Sequence, residues 1–417
     1  MHPVVEEEDS GKLCRARHTG RRIALALIAL LLLCTSGVDA RSPRTDPTTG
    51  RVRVIYIGDC MGVQNPFPIL DKEPSLYCTA VYACTFHQTP DQIRKSMRAY
   101  MPRTYDRFLR NDVVILSDAN RQAFTPAQLS WMKRGVVEEG HGLVMIGGAE
   151  SFYAGGGSWS WKPTQVAEVL PCIIMENDWI RPKERARVIL ELQRGYITVA
   201  DPQDEFIRSL PFEEIRGYPL YQGPNKKIPF LMWWDIGEGR TMAMSRDWTP
   251  SAGSTFMRWD YYPDYCINMM LFLAGIRLPE DVEKVHLIRR KMREAGEAVE
   301  TLYSMGAMVE RIGGNTEALD RMIIDIQQDR KEALNLYVQA RTDEALKAFD
   351  EILSKCDEAL REAVRARNQA AFWIFFTEWC VVTGTFMFTG GLLWLLMVKR
   401  RLFREVGHTR LVEDSLR

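Results

Sequence analysis

Residues 112–152 read DVVILSDANRQAFTPAQLSWMKRGVVEEGHGLVMIGGAESF, and this stretch decides the fold class. DVVILSD (112–118) is almost continuously apolar, which is typical of a parallel strand covered on both faces. Thr125 and Pro126 mark a helix start, because threonine caps helix N-termini and proline fits the first turn. GLVMIGG (142–148) is a second strand pattern. Strand, helix and strand in this order predict a right-handed crossover in a parallel sheet.

The flanking sequence extends this pattern in both directions. RVRVIYIGD (51–59) is predicted to be a strand, and Thr89 and Pro90 begin a helix that runs toward Leu109. The segment between them contains three prolines, so we predict an irregular loop there. Further predicted elements are strands at 187–191 and 196–199, a hairpin of 229–236 with 240–245, and a helix at 265–275. Together they predict a doubly wound α/β sheet over residues 51–279.

The length and composition indicate a folded protein of two or three units, since the chain has 417 residues. Hydrophobic residues make up 46% and charged residues 26%, which is ordinary for a globular protein and excludes wholesale disorder. Lysine plus arginine equal aspartate plus glutamate at 54 each, so the chain has no net field that attracts nucleic acid. We therefore predict no nucleic-acid partner.

The N-terminal segment has the pattern of a secretory signal. IALALIALLLL (23–33) follows a basic cluster and precedes small residues that end at Ala40, where cleavage is expected. This run is short for a membrane span, which needs about 20 apolar residues, although a retained signal-anchor is the open alternative. We predict a signal peptide or signal-anchor at 1–40 and a polar linker at 41–50.

A second apolar segment predicts a transmembrane helix near the C-terminus. The segment WCVVTGTFMFTGGLLWLLMV (379–398) carries no charge and is long enough to cross a bilayer. Aromatic residues precede it and basic residues follow it, so we predict a helix at 371–398 and a cytoplasmic basic tail at 399–417. Residues 41–370 are then expected outside the cytoplasm, in a single-pass protein of the cell membrane and envelope.

Residues 280–370 are predicted to form a helical stalk. Apolar residues alternate three and four positions apart, in a heptad seam of Val285, Ile288, Met292, Ala295, Val299, Leu302, Gly306 and Val309. The pattern resumes after 313–315, at Leu319, Met322 and Ile326 and then at Leu346, Phe349, Leu353, Cys356, Leu360 and Ala363. We predict two or three long antiparallel helices, packed either within one chain or as an intermolecular coiled coil. The second alternative implies a homo-oligomer or an envelope protein partner through residues 280–398.

Nine cysteines are compatible with an exported protein but do not establish its compartment. Cys78 and Cys84 are close in the sequence and are candidates for a disulfide, although spacing does not establish connectivity. No CxxC pair occurs, so neither a zinc ribbon nor a thioredoxin-type motif is indicated. We predict no metal and no cofactor.

Candidate ligand-binding residues follow three of the predicted strands, because ligands bind beyond the carboxyl ends of strands in such sheets. They are Asp59 and Cys60 after the first strand, Ser117 and Asp118 after the second, and Gly147, Gly148, Glu150, Ser151 and Phe152 after the third. The glycines allow a ligand to approach backbone N–H groups, whereas a tight turn without a ligand is the alternative. Neither a phosphate loop nor a dinucleotide-binding fingerprint occurs.

Three stretches resemble the putative glutamine amidotransferase family, a branch of the class I glutamine amidotransferase-like fold: DVVILSD, TPAQLSWMKRGVVEEGHGLVMIGGAESFYAGG and PFLMWWDIGEGRTMAMSRDW. The closing helix, LFLAGIRLP, is similar to the same family. The resemblance covers residues 51–279. It implies a flavodoxin-like sheet with its site after the third strand, in members that are often attached to membrane segments.

The resemblance does not extend to the catalytic residues. Class I amidotransferases carry a nucleophilic cysteine on the turn after that strand, and a later His–Glu pair activates it. Here the turn carries Gly147, Gly148 and Ala149, and the sequence has no histidine between His141 and His286. We therefore expect a catalytically inactive domain that binds a ligand or a protein as a scaffold of the cell envelope.

Other chemistry at the strand ends stays open as an alternative. Glu150 or Ser151 is a candidate substitute nucleophile, and Cys60 with His87 or His141 is a candidate nucleophile–base pair. An envelope hydrolase would use Asp59, Asp118 or Glu150. A cation would be held by Asp59, Asp118 and Asp247. A half-buried structural thiol is the favoured interpretation of Cys60. Aspartates at strand ends are more often caps and turn residues than metal ligands.

Overall fold

The computed structural model describes residues 42–60, 65–155, 159–176, 180–193, 196–199, 204–210, 229–248, 257 and 259–414. The predicted signal segment at 1–40 lies outside these residues, as do Gly156 and Gly157 of the glycine run. The chain divides into two compact units, and the boundary falls between Val282 and Glu283.

The first unit is an α/β domain built around one large sheet. Its described strands are β1 (Val52–Gly58), β2 (Leu76–Tyr82), β3 (Val113–Ser117), β4 (Gly142–Ile146), β5 (Cys172–Ile174), β6 (Ile180–Pro182), β7 (Arg187–Gln193), β8 (Tyr196–Val199), β9 (Leu231–Ile236) and β10 (Gly239–Met244). Its described helices are α1 (Phe67–Asp71), α2 (Pro90–Tyr100), α3 (Tyr105–Phe108), α4 (Pro126–Glu139), α5 (Gln165–Val169), α6 (Glu205–Arg208) and α7 (Tyr262–Leu273). The main sheet has the order β2-β1-β3-β4-β10-β9-β7-β8, and β5 pairs with β6 separately.

Parallel pairing occupies one half of the main sheet and antiparallel pairing the other half. β1 is parallel to β2 and β3, β3 is parallel to β4, and β4 is parallel to β10. β9 and β10 form an antiparallel hairpin, and its tight turn contains Gly237 at a φ of +59°. β7 extends the antiparallel half by pairing with β9 and β8. The predicted α/β fold is confirmed, with an antiparallel extension at one edge.

The two predicted threonine–proline helix starts are confirmed. Thr89 caps α2 and Thr125 caps α4, and each threonine hydroxyl accepts a hydrogen bond from a backbone N–H three residues later. The glutamine at that later position, Gln92 or Gln128, accepts a hydrogen bond from the backbone N–H of the threonine. These reciprocal bonds satisfy donors that a helix N-terminus leaves unpaired, which explains why the sequence pattern marked both boundaries correctly.

Two predictions about the first unit were wrong. The segment after β1 is not an irregular loop, because it contains α1 and the edge strand β2. Its prolines precede the strand, and LYCTAVY itself has ordinary strand composition. The helix that begins at Thr89 ends at Tyr100 and not near Leu109. Pro102 disfavours a helical conformation at the residue before it, and Thr104 then caps the separate helix α3.

The first unit buries both faces of its sheet. On β3, Val113 and Ile115 belong to an apolar core shared with α7, whereas Val114 and Leu116 belong to a second core that includes Met132 of α4. Successive side chains of a strand point to opposite faces, so each core receives alternate residues of the same strand. This two-sided burial is the reason for the nearly continuous apolar run in the sequence.

The described part of the second unit contains three helices, α8 (Val282–Arg311), α9 (Glu317–Val338) and α10 (Thr342–Asp414). Near the start of α8, Arg289 Nε donates a hydrogen bond to Tyr337 Oη at the end of α9 over 2.9 Å. Lys284 of α8 pairs with Asp343 at the start of α10 at 3.1 Å. These contacts make α9 antiparallel to both α8 and α10.

The predicted heptad seams pack together within the single chain. Ile288 of α8, Ile323 of α9 and Phe349 of α10 belong to one apolar core. Every seam residue predicted on α8 is buried, which confirms its register. Leu360 is an exception, because its side chain is 38% exposed. Packing within the chain accounts for these seams, as in the first of the two predicted alternatives.

One helix of the described chain is long and apolar enough to cross a membrane. This helix is α10, over residues 342–403. None of its most apolar stretch is buried inside the chain. α10 is continuous from the bundle through this stretch. A helix with an apolar surface exposed over such a length is suited to a hydrocarbon environment.

Candidate functional site

The candidate site lies at the carboxyl ends of β1, β3 and β4. The parallel register places Gly58 beside Ser117, and Ser117 beside Ile146, so the three strands end at the same edge of the sheet. The sequence-predicted residues that follow these strands are Asp59, Cys60, Ser117, Asp118, Gly147, Gly148, Glu150, Ser151 and Phe152. The structure therefore brings the three predicted groups to one edge.

Asp118 ties the turn after β3 to the turn after β4. Its backbone has a φ of +45°, a left-handed conformation that is uncommon for a residue other than glycine. Its Oδ1 accepts a hydrogen bond from the backbone N–H of Glu150 over 2.8 Å. Its own backbone N–H donates to Ser151 Oγ over 3.3 Å. Both contacts direct the half-buried carboxylate toward the glycine turn.

The glycine turn has no room for a side chain. A Cβ atom added to Gly148 would lie 2.1 Å from Asp118 Oδ1, and one added to Gly147 would lie 2.5 Å from the carbonyl oxygen of Ser245. Both distances are far below van der Waals contact, so the neighbours would have to move. The Asp118 carboxylate thus occupies the space into which a nucleophilic side chain at position 148 would project.

Asp59 is a buried carboxyl group at the end of β1. Tyr56 Oη donates a hydrogen bond to Asp59 Oδ1 over 3.2 Å. Burial is the main reason that the pKa of Asp59 is raised to about 8; a hydrogen bond from Ser117 opposes the rise, and the charges of Asp118 and Asp247 add to it. Burial also raises the pKa of Asp118, to about 6. At neutral pH, Asp59 therefore keeps its proton while Asp118 is mostly ionised.

Trp248, after β10, closes the site on the side of Asp59. Its ring stacks on Tyr56 with the centroids 5.8 Å apart, and it is completely buried. Trp248 Nε1 donates to Ser117 Oγ over 2.9 Å and lies 3.2 Å from Tyr56 Oη. Tyr262 of α7 donates its hydroxyl hydrogen to the carbonyl oxygen of Trp248 over 2.9 Å. These bonds keep water from one side of the carboxyl edge.

Glu150 is held by donors of the protein itself. The backbone N–H of Thr85 donates to Glu150 Oε2 over 2.7 Å, and the Thr85 hydroxyl donates to Oε1. Asn120 Nδ2 donates to Oε1 over 2.7 Å. With a side chain that is 2% exposed, Glu150 joins the ends of β2, β3 and β4. Its carboxylate has the contacts of a structural group, which leaves little capacity for a ligand.

The residues after Glu150 form a strained turn over a buried tryptophan. Phe152 and Ala154 have φ values of +49° and +48°. Trp161 is completely buried, and its Nε1 lies 3.1 Å from the carbonyl oxygen of Glu150 and 3.2 Å from that of Ala119. Non-glycine residues in left-handed conformations persist only where surrounding contacts hold them. Trp161 supplies such a contact beneath this turn.

The thiols near the site are poor nucleophiles. Cys60 and Cys84 are buried; burial and then the charge of Asp59 raise the pKa of Cys60, and burial raises that of Cys84 to about 12. Few thiolates therefore exist at neutral pH. His141 precedes β4 at the opposite end of the sheet, where it packs on Phe108. The geometry does not bring Cys60 and His141 together.

The candidate disulfide and the candidate cation site are not formed in the described chain. Cys78 lies within β2, and both Cys78 and Cys84 are free thiols. Asp59, Asp118 and Asp247 interact electrostatically. Among the residues that the structure describes, no group of three or more histidine, cysteine or acidic side chains could hold a metal ion.

Sequence reasoning missed four residues that build the site, namely Tyr56, Thr85, Asn120 and Trp248. Asn120 and Trp248 had a usable signal, because each follows a strand that ends at this same edge. Thr85 follows β2, which the sequence analysis interpreted as a loop. Tyr56 has the pattern of a core residue inside β1, and only its contact with Asp59 gives it a place in the site.

Comparison with known proteins agrees with the resemblance seen in the sequence. The family model described as "Putative glutamine amidotransferase" matches residues 94–275. A solved structure described as a cytoplasmic protein from Salmonella typhimurium is 20% identical in sequence and has a TM-score of 0.37. That match covers 54% of this chain and 98% of the other chain. None of the curated proteins matches this sequence.

Proposed function

We propose that this domain has lost amide hydrolysis and serves as a binding module. Its residues 94–275 match the model of the putative glutamine amidotransferase family. In this proposal the carboxyl edge recognises a small ligand or a protein segment, and the domain acts as a scaffold of the cell envelope. The function rests on the site and not on the fold, because one fold hosts many activities.

The observation that carries the proposal is the occupied space at the glycine turn. Asp118 fills the volume that a nucleophilic side chain at position 148 would need. Burial, and to a smaller extent the nearby carboxylates, disfavours the thiolate forms of Cys60 and Cys84. A covalent amidotransferase mechanism needs an activated nucleophile and a base that can take its proton, and neither of these thiols is activated.

A second candidate function is hydrolysis by the carboxyl pair Asp59 and Asp118. One observation favours it: Asp59, with a pKa of about 8, and Asp118, with a pKa of about 6, would be protonated and ionised at neutral pH. Separated pKa values are the usual arrangement of an acid and a base in one active site. An envelope carbohydrate or peptide would be the substrate class. The burial of Asp59 against Tyr56 and Trp248 makes this the weaker candidate.

The full-length chain in neutral detergent is expected to release no ammonia from L-glutamine above a protein-free blank. The reason is that burial keeps the thiols of Cys60 and Cys84 protonated, and a protonated thiol is a poor nucleophile. Ammonia release that disappears in Cys60→Ser or Cys84→Ser would overturn the proposal.

Hydrolysis of an envelope glycan or peptide that is lost in Asp118→Asn would instead support the second candidate. Asp106→Asn, at an exposed site outside the edge, is the matched control.

The binding role predicts a rise in melting temperature when a ligand is added. A ligand at about 100 times its Kd stabilises the fold by about 2.7 kcal/mol, and Asp118→Asn should remove the resulting rise in melting temperature.

We also propose that α10 anchors the protein with its α/β domain outside the cytoplasm. The basic residues at 399–401 follow the apolar stretch, and basic segments stay on the cytoplasmic side. Protease added to intact spheroplasts should therefore degrade the α/β domain and spare an epitope tag placed after Arg417. Protection of the α/β domain together with loss of the tag would reverse the orientation. A chain that ends at residue 370 should leave the membrane fraction when the N-terminal signal is cleaved, whereas a retained signal-anchor would hold it there.

A further inference from the structure

A cavity lined by arginines lies on the α/β domain, away from the carboxyl edge. We call it the arginine pocket; its volume is about 460 Å³, and its lining includes Arg53, Arg98, Arg103, Arg107, Arg110 and Tyr100. It lies between the end of α2, the connection to α3, and the early residues of β1 and β2. Arg53 is the second residue of β1, so the pocket is near the amino ends of the strands. The candidate site is at the carboxyl ends, so the two are separate.

The charge of this region is strongly one-sided although the whole chain is neutral. Residues 94–111 carry five arginines and one lysine, and Asp106 is their single acidic residue. Arg53 is neutralised by Asp112 at 3.0 Å and lies 3.6 Å from Asp46. This excess of positive charge gives the region a local field that attracts anions.

The other arginines of the pocket have no acidic partner in the described part of the chain. Arg98, Arg103, Arg107 and Arg110 are exposed, and no described carboxylate lies within ion-pair distance of them. Arg103 Nη2 donates to the carbonyl oxygen of Arg98 over 2.9 Å, at the end of α2. Favourable interaction with a helix C-terminus therefore explains Arg103. Arg98 and Arg107 also lie in the last turns of α2 and α3, where the same interaction applies. Within the described chain, the guanidinium groups of Arg107 and Arg110 make no hydrogen bond or ion pair.

We propose that the arginine pocket binds a small ligand through its phosphoryl groups. Guanidinium groups match phosphate oxygens with paired hydrogen bonds, and a cavity of this volume is in the range of small-molecule sites. The exposed ring of Tyr100 borders the same cavity and offers a hydroxyl group or a stacking face. At the candidate site, the ionised carboxylate of Asp118 would repel such an anion. A soluble phosphate ester and a lipid headgroup share this chemistry.

Titration of the full-length chain in neutral detergent with inorganic pyrophosphate tests the proposal. Binding is expected to weaken when salt is raised, and to weaken at least about tenfold in Arg98→Gln/Arg107→Gln, because each lost charged hydrogen bond has an effect of that order. The matched control is Arg94→Gln/Arg134→Gln. It removes the same charge from exposed arginines that pair with Asp91 and Glu138 outside the pocket. Unchanged melting temperatures would show that both variants fold.

A second titration with micelles that contain phosphatidylglycerol separates the two sources of phosphate. Arginine-dependent binding of pyrophosphate alone supports a soluble phosphate ester, and arginine-dependent binding of the lipid alone supports a headgroup. If neither probe binds, the proposal is wrong. It is equally wrong if the two double variants bind alike, since binding would then follow total charge and not this pocket.

Discussion

Replacement of Gly58 by alanine is expected to lower the melting temperature of the α/β domain by roughly 10 °C. Gly58 ends β1 at a φ of +131°, which side chains rarely adopt. A Cβ atom there would lie 1.7 Å from the carbonyl oxygen of Ser117 and 3.2 Å from the backbone N of Ala119. Those obstacles are backbone atoms of the neighbouring strand end, so no side-chain rotation can relieve the clash.

The size of this effect follows from two contributions. Overpacking costs about 1–3 kcal/mol, and a disfavoured positive φ costs about 1–2 kcal/mol. A domain of this size loses about 2–4 °C for each kcal/mol. The measurement is tryptophan fluorescence of the intact chain during heating. Because the clash involves the hydrogen bond from Asp59 N to Ser117 O, measured at 2.9 Å, ligand binding at the carboxyl edge should weaken as well.

Gly50→Ala is the matched control for this prediction. Gly50 also has a positive φ, of +69°, but among the described residues, its chain neighbours aside, no atom would lie within 4 Å of an added Cβ. Its replacement should lower stability only by the conformational contribution of about 1–2 kcal/mol. Equal losses in the two variants would mean that the contact with Ser117 does not restrict position 58.

The Asp59→Asn variant is expected to be more stable than the natural chain above pH 8 and little changed below about pH 4. Burial holds the pKa of Asp59 at about 8, above the ordinary value of 3.8. Between these values the folded protein keeps a proton that the unfolded chain has lost. The free energy of unfolding therefore falls as the pH rises from about 4 to about 8. Asparagine cannot ionise, and its carbonyl oxygen can still accept the hydrogen bond from Tyr56.

The expected magnitude for Asp59→Asn is large. One pKa unit corresponds to about 1.4 kcal/mol, so the natural chain should lose on the order of 4 kcal/mol between about pH 5 and pH 8.5 through this group alone. Melting temperatures of both chains across that range measure the difference. Asp118→Asn is the comparison, because the pKa of Asp118 is about 6 and its effect should be complete near neutral pH. Parallel pH profiles for Asp59→Asn and the natural chain would contradict the assignment.

Local signals in the sequence account for most of the fold. Thr125 with Gln128 predicted the start of α4 because the two residues complete each other's hydrogen bonds within one turn. The apolar run of β3 was readable because both of its faces are buried. β2 was missed because nearby prolines dominated the interpretation of its segment. Prolines favour a loop locally, whereas pairing with β1 makes the residues after them a strand, and this pairing cannot be seen in the sequence.

The candidate site was predictable in position but not in chemistry. Strand ends of a parallel sheet meet at one edge, so the order of the strands along the chain is enough to group Asp59, Asp118 and Gly148. Their roles depend on contacts between distant segments. Glu150 looked like a candidate ligand in the sequence, yet Thr85 and Asn120 supply donors to its carboxylate. These three residues follow different strands and are far apart in the sequence. Their spacing along the chain therefore does not predict that their side chains are in contact.

The sequence by itself determined the α/β domain, the helical region after it, the apolar C-terminal helix and the absence of a cysteine at the turn after β4. Each of these depends on composition and short-range periodicity, which act within a few residues. Only the tertiary structure decided that Asp118 fills the space at Gly148, that Asp59 is buried enough to keep its proton, and that the seams pack within one chain. Those properties depend on burial and on through-space distance, which arise only when segments far apart in the chain are packed together.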